Sequence, residues 1–504
     1  MAHGGNALTA PPAPARAGSA LRPPSRRYLI FSVIALALLM ASIDSTIVAV
    51  ALEAIGKSLH TSVVWETWTI TAYQLGQLLV LPVAGKLSDE WGRKRVFLGA
   101  IVLFTGSSLL CGMAPNVYVL VVCRLVQALG GGSFIPSCTG IVSDLFPQSR
   151  ARAIGLFTSI FPIGGLLGPN IGGAVVDHLS WRFVFWVNVP LGLLVIALTA
   201  ALYRDEGRAT GERRRIDFAG AALYGGAMIM LLFALTWLGE SANALRNPLV
   251  WLLLASVPLL LVLFFRTESR TADPVIAPVL LKHRPFLAAN LYNFCFGAGV
   301  FGVMAFLPTY FQNRYGVSAT LAGALLTPRA MAMIVTSTLC SIFIIRLGYR
   351  LPMVAGMSLQ ALAMLLLSRG LTHVSLLGVG VSDVVWLSMI TALIGLGLGI
   401  SQPAANNAAL DLLPGKVAAV TGIRSTFRQS GGMIGTAMIP LVLSRDPHNV
   451  AGGLEHVYIA YVVLYLLCIV LAFFIPDRAR ERRQGAPPRT EEPATLVPRP
   501  VAAE

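Results

Sequence analysis

The sequence predicts an all-α polytopic membrane protein. Three observations predict it: the composition, the recurrence of apolar runs about twenty residues long, and the placing of basic residues between those runs. Of 504 residues, 56% are hydrophobic and 12% are charged, whereas about 25% of a typical soluble domain is charged. That leaves too little polar surface to face water. An α-helix rises ~1.5 Å per residue, so about twenty apolar residues cross the ~30 Å hydrocarbon core of a bilayer. Such runs recur from Tyr28 to Pro476. The net charge of +15 would suit a nucleic-acid partner if it clustered on one face of a soluble module. Here it is dispersed between apolar runs, which argues against that class.

Taken in order, fourteen candidate spans begin near residues 28, 64, 96, 117, 151, 182, 218, 248, 286, 319, 351, 384, 417 and 456, each bounded by charged or turn-rich breaks. The first run is longer than the 7 to 15 apolar residues of a signal peptide and is followed by further spans, so it is expected to stay as an uncleaved helix. Residues 1–27, rich in Pro, Ala and Arg, are expected to form a disordered cytoplasmic tail. Residues 28–203 then form an amino-terminal six-helix bundle, 204–285 two extra helices with flanking cytoplasmic loops, 286–476 a carboxy-terminal six-helix bundle, and 477–504 a second disordered cytoplasmic tail.

Charge sets the expected orientation. With the amino terminus inside, 28 of the 38 Lys and Arg residues fall in inner loops, six fall outside, and four (Arg124, Arg329, Arg424 and Arg428) fall within spans, as the positive-inside rule requires. Trp65, Trp68, Trp181, Trp186, Trp237, Trp251 and Trp386 lie near predicted outer ends, leaving Trp91 in an inner loop, which fits the interfacial preference of tryptophan. Both termini are therefore expected in the cytoplasm. The six cysteines (Cys111, Cys123, Cys138, Cys295, Cys340 and Cys468) form no CxxC pair, which indicates neither a disulfide framework nor a zinc site.

The two bundles are related by an internal repeat. A shift of 267 residues superposes Gly130, Gly132, Pro136, Asp144, Pro147, Gly155, Gly164, Gly165 and Gly168 on Gly397, Gly399, Pro403, Asp411, Pro414, Gly422, Gly431, Gly432 and Gly435 without a gap. The alternative is a chance match between glycine-rich and proline-rich membrane helices, but the paired Asp-x-x-Pro positions speak against it. Parallel six-helix repeats rocking about a midplane site are the plan of one large class of secondary transporter.

Several motifs carry chemistry. An acid inside a membrane helix is costly and marks a functional position by default; the first span holds Asp44 in Ile43-Asp44-Ser45-Thr46-Ile47-Val48-Ala49. The fourth span holds Arg124-Leu-Val-Gln127-Ala128-Leu-Gly130. Helix rise puts Asp44 and Arg124 at the same depth, roughly 10 to 12 Å below the outer surface, so the two are expected to pair. Gly85-Lys-Leu-Ser-Asp89-Glu-Trp-Gly92-Arg93-Lys94-Arg95 occupies the loop after the second span. Its glycines allow a tight turn, and Asp89 can accept hydrogen bonds from a neighbouring helix N-terminus or an arginine. The fifth span carries Gly155, Gly164, Gly168-Pro169 and Gly172-Gly173, glycines that permit close helix packing and a proline that permits a bend. Trp181-Arg-Phe-Val-Phe-Trp-Val-Asn188-Val-Pro-Leu-Gly192 follows, and Arg424 and Arg428-Gln429 lie in the thirteenth span.

These motifs resemble the major facilitator superfamily, and within it the fourteen-span drug:proton antiporters of the EmrB/QacA type, over essentially residues 28–476. The resemblance implies the major facilitator fold and proton-coupled efflux of small lipophilic drugs or toxic compounds across a bacterial cytoplasmic (inner) membrane by alternating access. It assigns proton coupling to Asp44, Arg124 and Gln127, and a cytoplasmic gate to Gly85, Asp89, Gly92 and Arg93. The antiporter helix is that of Gly155, Gly164, Gly168, Pro169, Gly172 and Gly173, and a second-half gate falls to Arg424 and Arg428. The sequence departs from the family pattern at Ala49, Glu53 and Ala128. A permanent ion pair pinning the first and fourth helices is the structural alternative to a coupling role for Asp44 and Arg124.

The second repeat lacks this chemistry, because the same shift sets Thr391 against Arg124 and Thr436 against Pro169. Its expected contribution is an apolar wall, with Tyr292, Asn293, Phe296 and Phe301 as substrate-cavity candidates by residue type. No cofactor, metal or catalytic residue is expected: HExxH, phosphate-loop and nucleophile-elbow signatures are absent from the sequence. The expected driving force is the proton gradient, and the expected partners are protons, a small lipophilic substrate and membrane lipid. A periplasmic adaptor is a partner that the resemblance allows, and nothing in the sequence sets the oligomeric state. Export of an endogenous metabolite, lipid or peptide on the same scaffold remains the alternative, with neutral, monocationic and weakly anionic cargo all open.

Overall fold

The structure, a computed structural model, describes residues 24–203, 217–241, 243–271, 274, 276–376, 378–413 and 417–477. The expected tails therefore lie largely outside the described residues, as does the stretch 204–216. The first helix starts at Pro24, four residues inside the stretch assigned to the amino-terminal tail.

Nineteen α-helices follow one another through the described chain. The first half comprises α1 (Pro24–Leu59), α2 (Val63–Trp91), α3 (Arg93–Gly112), α4 (Val117–Gly132), α5 (Phe134–Leu145), α6 (Arg150–Thr158), α7 (Ile160–His178), α8 (Phe183–Trp186) and α9 (Asn188–Leu202). A pair, α10 (Phe218–Glu240) and α11 (Pro248–Glu268), separates it from the second half. There α12 (Pro278–Leu281), α13 (Arg284–Tyr315), α14 (Ala319–Ala324), α15 (Thr327–Leu347), α16 (Arg350–Leu367), α17 (Asp383–Leu412), α18 (Val417–Leu443) and α19 (Val450–Phe473) complete the order. A two-residue antiparallel ladder between Ser375–Leu376 and Val379–Gly380 joins α16 to α17.

Local chemistry fixes several helix starts. Asn116, Asp217, Asn247, Ser318, Ser382 and Asn449 each accept a hydrogen bond from a first-turn N–H of the helix that follows, the usual remedy for donors without an intrahelical partner. Pro248 occupies the first position of α11, where its missing N–H costs nothing.

Twelve helical stretches among the described residues are long and apolar enough to cross a membrane, against the fourteen spans expected from the sequence. The two long helices outside that set are α2, with 29 residues, and α18, with 27. Both carry polar groups in mid-helix: Gln74 and Gln77 on α2, and Arg424, Arg428 and Gln429 on α18. Both are also shielded by protein. Along α2 the described side chains are exposed at Glu90 and Trp91, and along α18 at Gly422 and Met438. Polarity and shielding have one cause, since these helices face each other across the middle of the molecule. Gln429 donates Nε2 to Gln77 Oε1 at 3.3 Å.

The 267-residue repeat is a repeat of packing. Gly164 and Gly168 meet α1, where a Cβ added at Gly168 would stand 2.9 Å from the Ile43 carbonyl oxygen. Their counterparts Gly431 and Gly435 meet the backbone of α13 at Phe294 and Ala298. In the same way Gly130 lies against the Ala100 carbonyl of α3, and Gly397 against the Gly356 carbonyl of α16. Each half thus presses the same pairs of helices together through the same glycines.

The extra pair sits beside the seam between α2 and α18. Trp68 of α2 donates Nε1 to Thr236 Oγ1 of α10 at 2.8 Å, and Tyr224 of α10 shares a 2.7 Å hydrogen bond with Ser430 of α18. Leu79 of α2 lies over Gly225, and Val64 and Leu441 lie over Gly239. Helix α10 therefore touches both halves along its length.

Candidate functional site

Asp44 stands in the middle of α1, and four other helices converge on it. Its side chain is fully buried, as are those of Arg124, Gln127 and Asn188. From α4, Arg124 donates Nη1 to Asp44 Oδ2 at 2.8 Å and Nε to the Thr69 carbonyl of α2 at 3.0 Å. Gln127 donates Nε2 to Asp44 Oδ1 at 3.0 Å and accepts Arg124 Nη1 on its own Oε1 at 2.7 Å. Asn188, at the start of α9, donates Nδ2 to the same Oδ1 at 2.9 Å. Ser108 of α3 accepts from Gln127 and Asn188 at 3.1 Å each and passes its own hydroxyl proton to the Phe185 carbonyl at 2.8 Å. The Arg124 guanidinium also lies 4.1 Å from the centroid of the Tyr73 ring.

A charge taken out of water must be paired and hydrogen-bonded, and here both members of the pair are. The carboxylate accepts three hydrogen bonds, so its charge is spread over α4 and α9. Asn188, Ser108 and Tyr73 were not among the residues expected from sequence. Asn188 stands inside a quoted motif, but its contact with Asp44 arises from the packing of α9 and α3.

The back of α1 meets the glycine helix. Gly164, Gly168 and Gly172 of α7 lie against Ser42, Ile43, Thr46 and Ile47, the immediate neighbours of Asp44, and Ser42 donates Oγ to the Phe161 carbonyl at 2.6 Å. Gly173 faces the other way, against the Ala319 carbonyl and Thr320 of the second half, while Gly323 of α14 lies against the Pro169 carbonyl. Gly155 differs, since a Cβ there would meet nothing within 4 Å.

One seam between the halves is built on this contact. Asp177, near the end of α7, accepts the Ala319 N–H on Oδ1 at 3.2 Å and the Thr320 N–H on Oδ2 at 2.7 Å. Asn170 donates to Thr327 Oγ1 at 3.0 Å and accepts from it at 3.3 Å. Asn313 of α13 donates to Glu53 Oε2 of α1 at 3.1 Å, and Glu53 also holds Lys57 at 2.6 Å. All but the Asn170 contact lie at the end of the bundle away from the basic loops, here termed the charge-poor end. Hydrogen bonds joining described side chains of the two halves occur at that end and at mid-depth. Asp177 and Asn170 had no signal in the sequence beyond their polarity.

At the basic end, Gly92 separates α2 from α3 with φ +91°, a left-handed backbone that a side chain would strain. Arg93 pairs with Asp144 at 2.6 Å and also donates to the Gly140 carbonyl, which ties α3 to α5 within the first half. Gly85 has ordinary contact with Pro136, and the Asp89 side chain lies outside the described residues. In the second half, Tyr292, Asn293 and Phe296 are 0%, 3% and 4% exposed within the helical core. Phe301 is more open, and the Arg428 guanidinium carbon stands 6.0 Å from its ring centroid. Arg424 lies one turn before Arg428 on α18.

Known proteins resemble this chain in sequence and in fold. A family model described as the Major Facilitator Superfamily matches residues 34–436 and, in an overlapping match, 291–502. The multidrug transporter protein MdtP of Bacillus subtilis (strain 168) is 32% identical over 427 residues, 84% of this chain and 77% of that protein. The puromycin resistance protein pur8 of Streptomyces alboniger is 29% identical over 492 residues, 93% of this chain and 95% of its own length. A solved bacterial homologue of the human lysosomal transporter Spinster, in an inward-facing and occupied conformation, superposes with a TM-score of 0.62 at 14% identity, covering 90% of this chain and 97% of that one; this likeness is one of fold. On its helices, its paired halves and these matches, the chain belongs to the Major Facilitator Superfamily.

Proposed function

We propose that this protein exports small lipophilic drugs or toxic compounds across a bacterial cytoplasmic membrane in exchange for protons. The observation that carries the reading is Asp44: a fully buried carboxylate, held by Arg124, Gln127 and Asn188, on the helix whose other face is interlocked with α7. The names of two relatives, a multidrug transporter and a puromycin resistance protein, support export of such cargo. Helices α2 and α18 are read as crossing the membrane too, giving fourteen spans, because they have the length and their polar groups face protein. The basic end is read as cytoplasmic by its charge.

In this arrangement the seam at the charge-poor end is closed and cargo enters between the halves from the cytoplasm. A proton reaching Asp44 removes the charge that Arg124 and the two amides hold, so α1 is released from α4. The neighbours of Asp44 on α1 seat the glycines of α7, and α7 carries Asp177 and Pro169 against α14. A shift of α1 therefore reaches the outer seam through contiguous backbone contacts. Discharge of the proton inside and of the cargo outside completes an exchange by alternating access.

Everted membrane vesicles with an imposed pH gradient test this directly. Wild-type protein is expected to drive gradient-dependent uptake of lipophilic dyes, and Asp44→Asn to lose the response to the gradient while keeping cargo exchange without it. Full gradient-driven uptake by Asp44→Asn would remove Asp44 from the coupling role.

A further inference from the structure

The second half holds three interior arginines that the proton site leaves unused. Arg329, in the first turn of α15, is 8% exposed, and its Nε is buried without a hydrogen-bond partner. Arg424 and Arg428 stand four residues apart on α18, and hence on one face of it. Nε and Nη1 of Arg424 are also buried and unpartnered. The aromatic ring of Phe301 is the neighbour recorded for the Arg428 guanidinium. Among the described residues none of the three makes an ion pair or a side-chain hydrogen bond. In the first half the buried Arg124 is compensated, with Asp44 at 2.8 Å.

The Arg424 and Arg428 pair borders the space between the halves. Gln429, next to Arg428, is hydrogen-bonded to Gln77 of the first half, and Gly431 and Gly435 lie against α13, so Arg428 sits between those two contacts. Arg329 stands apart from this pair, with its backbone packed against Gly395 of α17. Arg428 lies eleven residues into α18, about 16 Å along its axis, at middle depth. The described acids of the second half are Asp383, Asp411, Asp446, Glu455 and Asp477, and they lie near helix ends or in loops. No described carboxylate of that half lies at the depth of Arg428.

A guanidinium out of water without a counter-charge is costly, and its planar fork suits an oxyanion better than any other ligand. We infer that the cargo of this transporter is an amphipathic monoanion, one carboxylate, sulfonate or phosphate group on an apolar body, whose charge is taken by Arg424 and Arg428 and whose body rests on Phe301. The inference builds on the exporter reading above, but the binding it describes needs no gradient.

The test uses the full-length protein in phosphatidylcholine nanodiscs without a pH gradient, with three radiolabelled probes of one shape: 2-naphthoate, uncharged 2-naphthamide and cationic 2-naphthylmethylammonium. Naphthoate is expected to bind about ten-fold or more tighter than naphthamide, the scale of one charged hydrogen bond, with the cation weakest. Arg424→Gln and Arg428→Gln are expected to lower naphthoate affinity about ten-fold and to leave naphthamide affinity unchanged, which also reports that each variant is folded. Arg428→Lys should keep most of the preference. Equal affinity for naphthoate and naphthamide in the wild type, or a preference that survives both glutamine variants, overturns the inference.

Phosphatidylglycerol nanodiscs separate the two sources of oxyanion. Competition by that lipid identifies a headgroup phosphate, undisturbed naphthoate affinity identifies a free solute, and either result places an oxyanion on the arginines. Proton-driven movement of dye without anion preference removes this inference and leaves the exporter reading. Anion preference without proton-driven movement does the reverse.

Discussion

Arg124 occupies a position where its loss leaves a charge behind. With Arg124→Ala, Asp44 would keep the amides of Gln127 and Asn188 but no counter-ion, and removal of one partner from a buried pair typically costs about 3–5 kcal/mol. The expected result is a clear fall in the midpoint of thermal unfolding, followed by tryptophan fluorescence in detergent. The double variant Arg124→Leu with Asp44→Leu should recover much of that loss, since an apolar replacement of both members of such a pair is often neutral or stabilising. If the double variant is no more stable than the single one, the pair is not what the site's stability depends on. The pairing itself was legible, because helix rise placed Asp44 and Arg124 at one depth. Its completion by Asn188 and Ser108 was not, because a period along one helix does not reveal which face of α9 or α3 meets α1.

At the scale of elements, α7 serves two masters: one row of glycines seats it on α1 and another position, Gly173, seats it on α14. The bonds across that seam are individually weak. Interhelical hydrogen bonds in membranes are worth ~0.6 kcal/mol on average, so a handful amounts to about 3 kcal/mol, small enough to be broken in every cycle. Gly323→Leu would drive a side chain into the Pro169 carbonyl, and Asp177→Ala would strip the acceptor from two N–H groups. Both are expected to open the charge-poor end. A cysteine introduced at Asn313 should react several-fold faster with a membrane-impermeant maleimide in either background, and unchanged labelling in both would show that the seam is held elsewhere. The glycines of this contact were visible as a repeat, and Gly431 and Gly435 do for α13 what Gly164 and Gly168 do for α1. Asp177 with Ala319 and Asn170 with Thr327 were not visible, because they join residues more than 140 positions apart that follow no period. Hydropathy alone counts twelve crossings among the described residues, because α2 and α18, long enough to cross, carry polar groups where they face protein.

For the whole molecule, the two halves are related by repetition but their two seams are unequal. On one side α7 meets α14 and α15, with Asn313 of α13 bonded to Glu53 of α1 beside them; on the other, α10 is bonded to α2 through Trp68 and Thr236 and to α18 through Tyr224 and Ser430. Rocking between closed and open states is therefore expected to be lopsided. Spin labels at Leu156 and Phe343, exposed on α6 and α15, should change their separation more on a pH step than labels at Trp91 and Gly422, exposed on α2 and α18. Equal changes on both sides would mean that α10 simply rides along. A helix tethered to both halves would turn a symmetric clam into a leaf hung on a post: travel is then expected to be least beside α10 and to grow with distance from it, so the widest mouth, and with it the upper limit on cargo size, is expected on the side that no extra helix bridges.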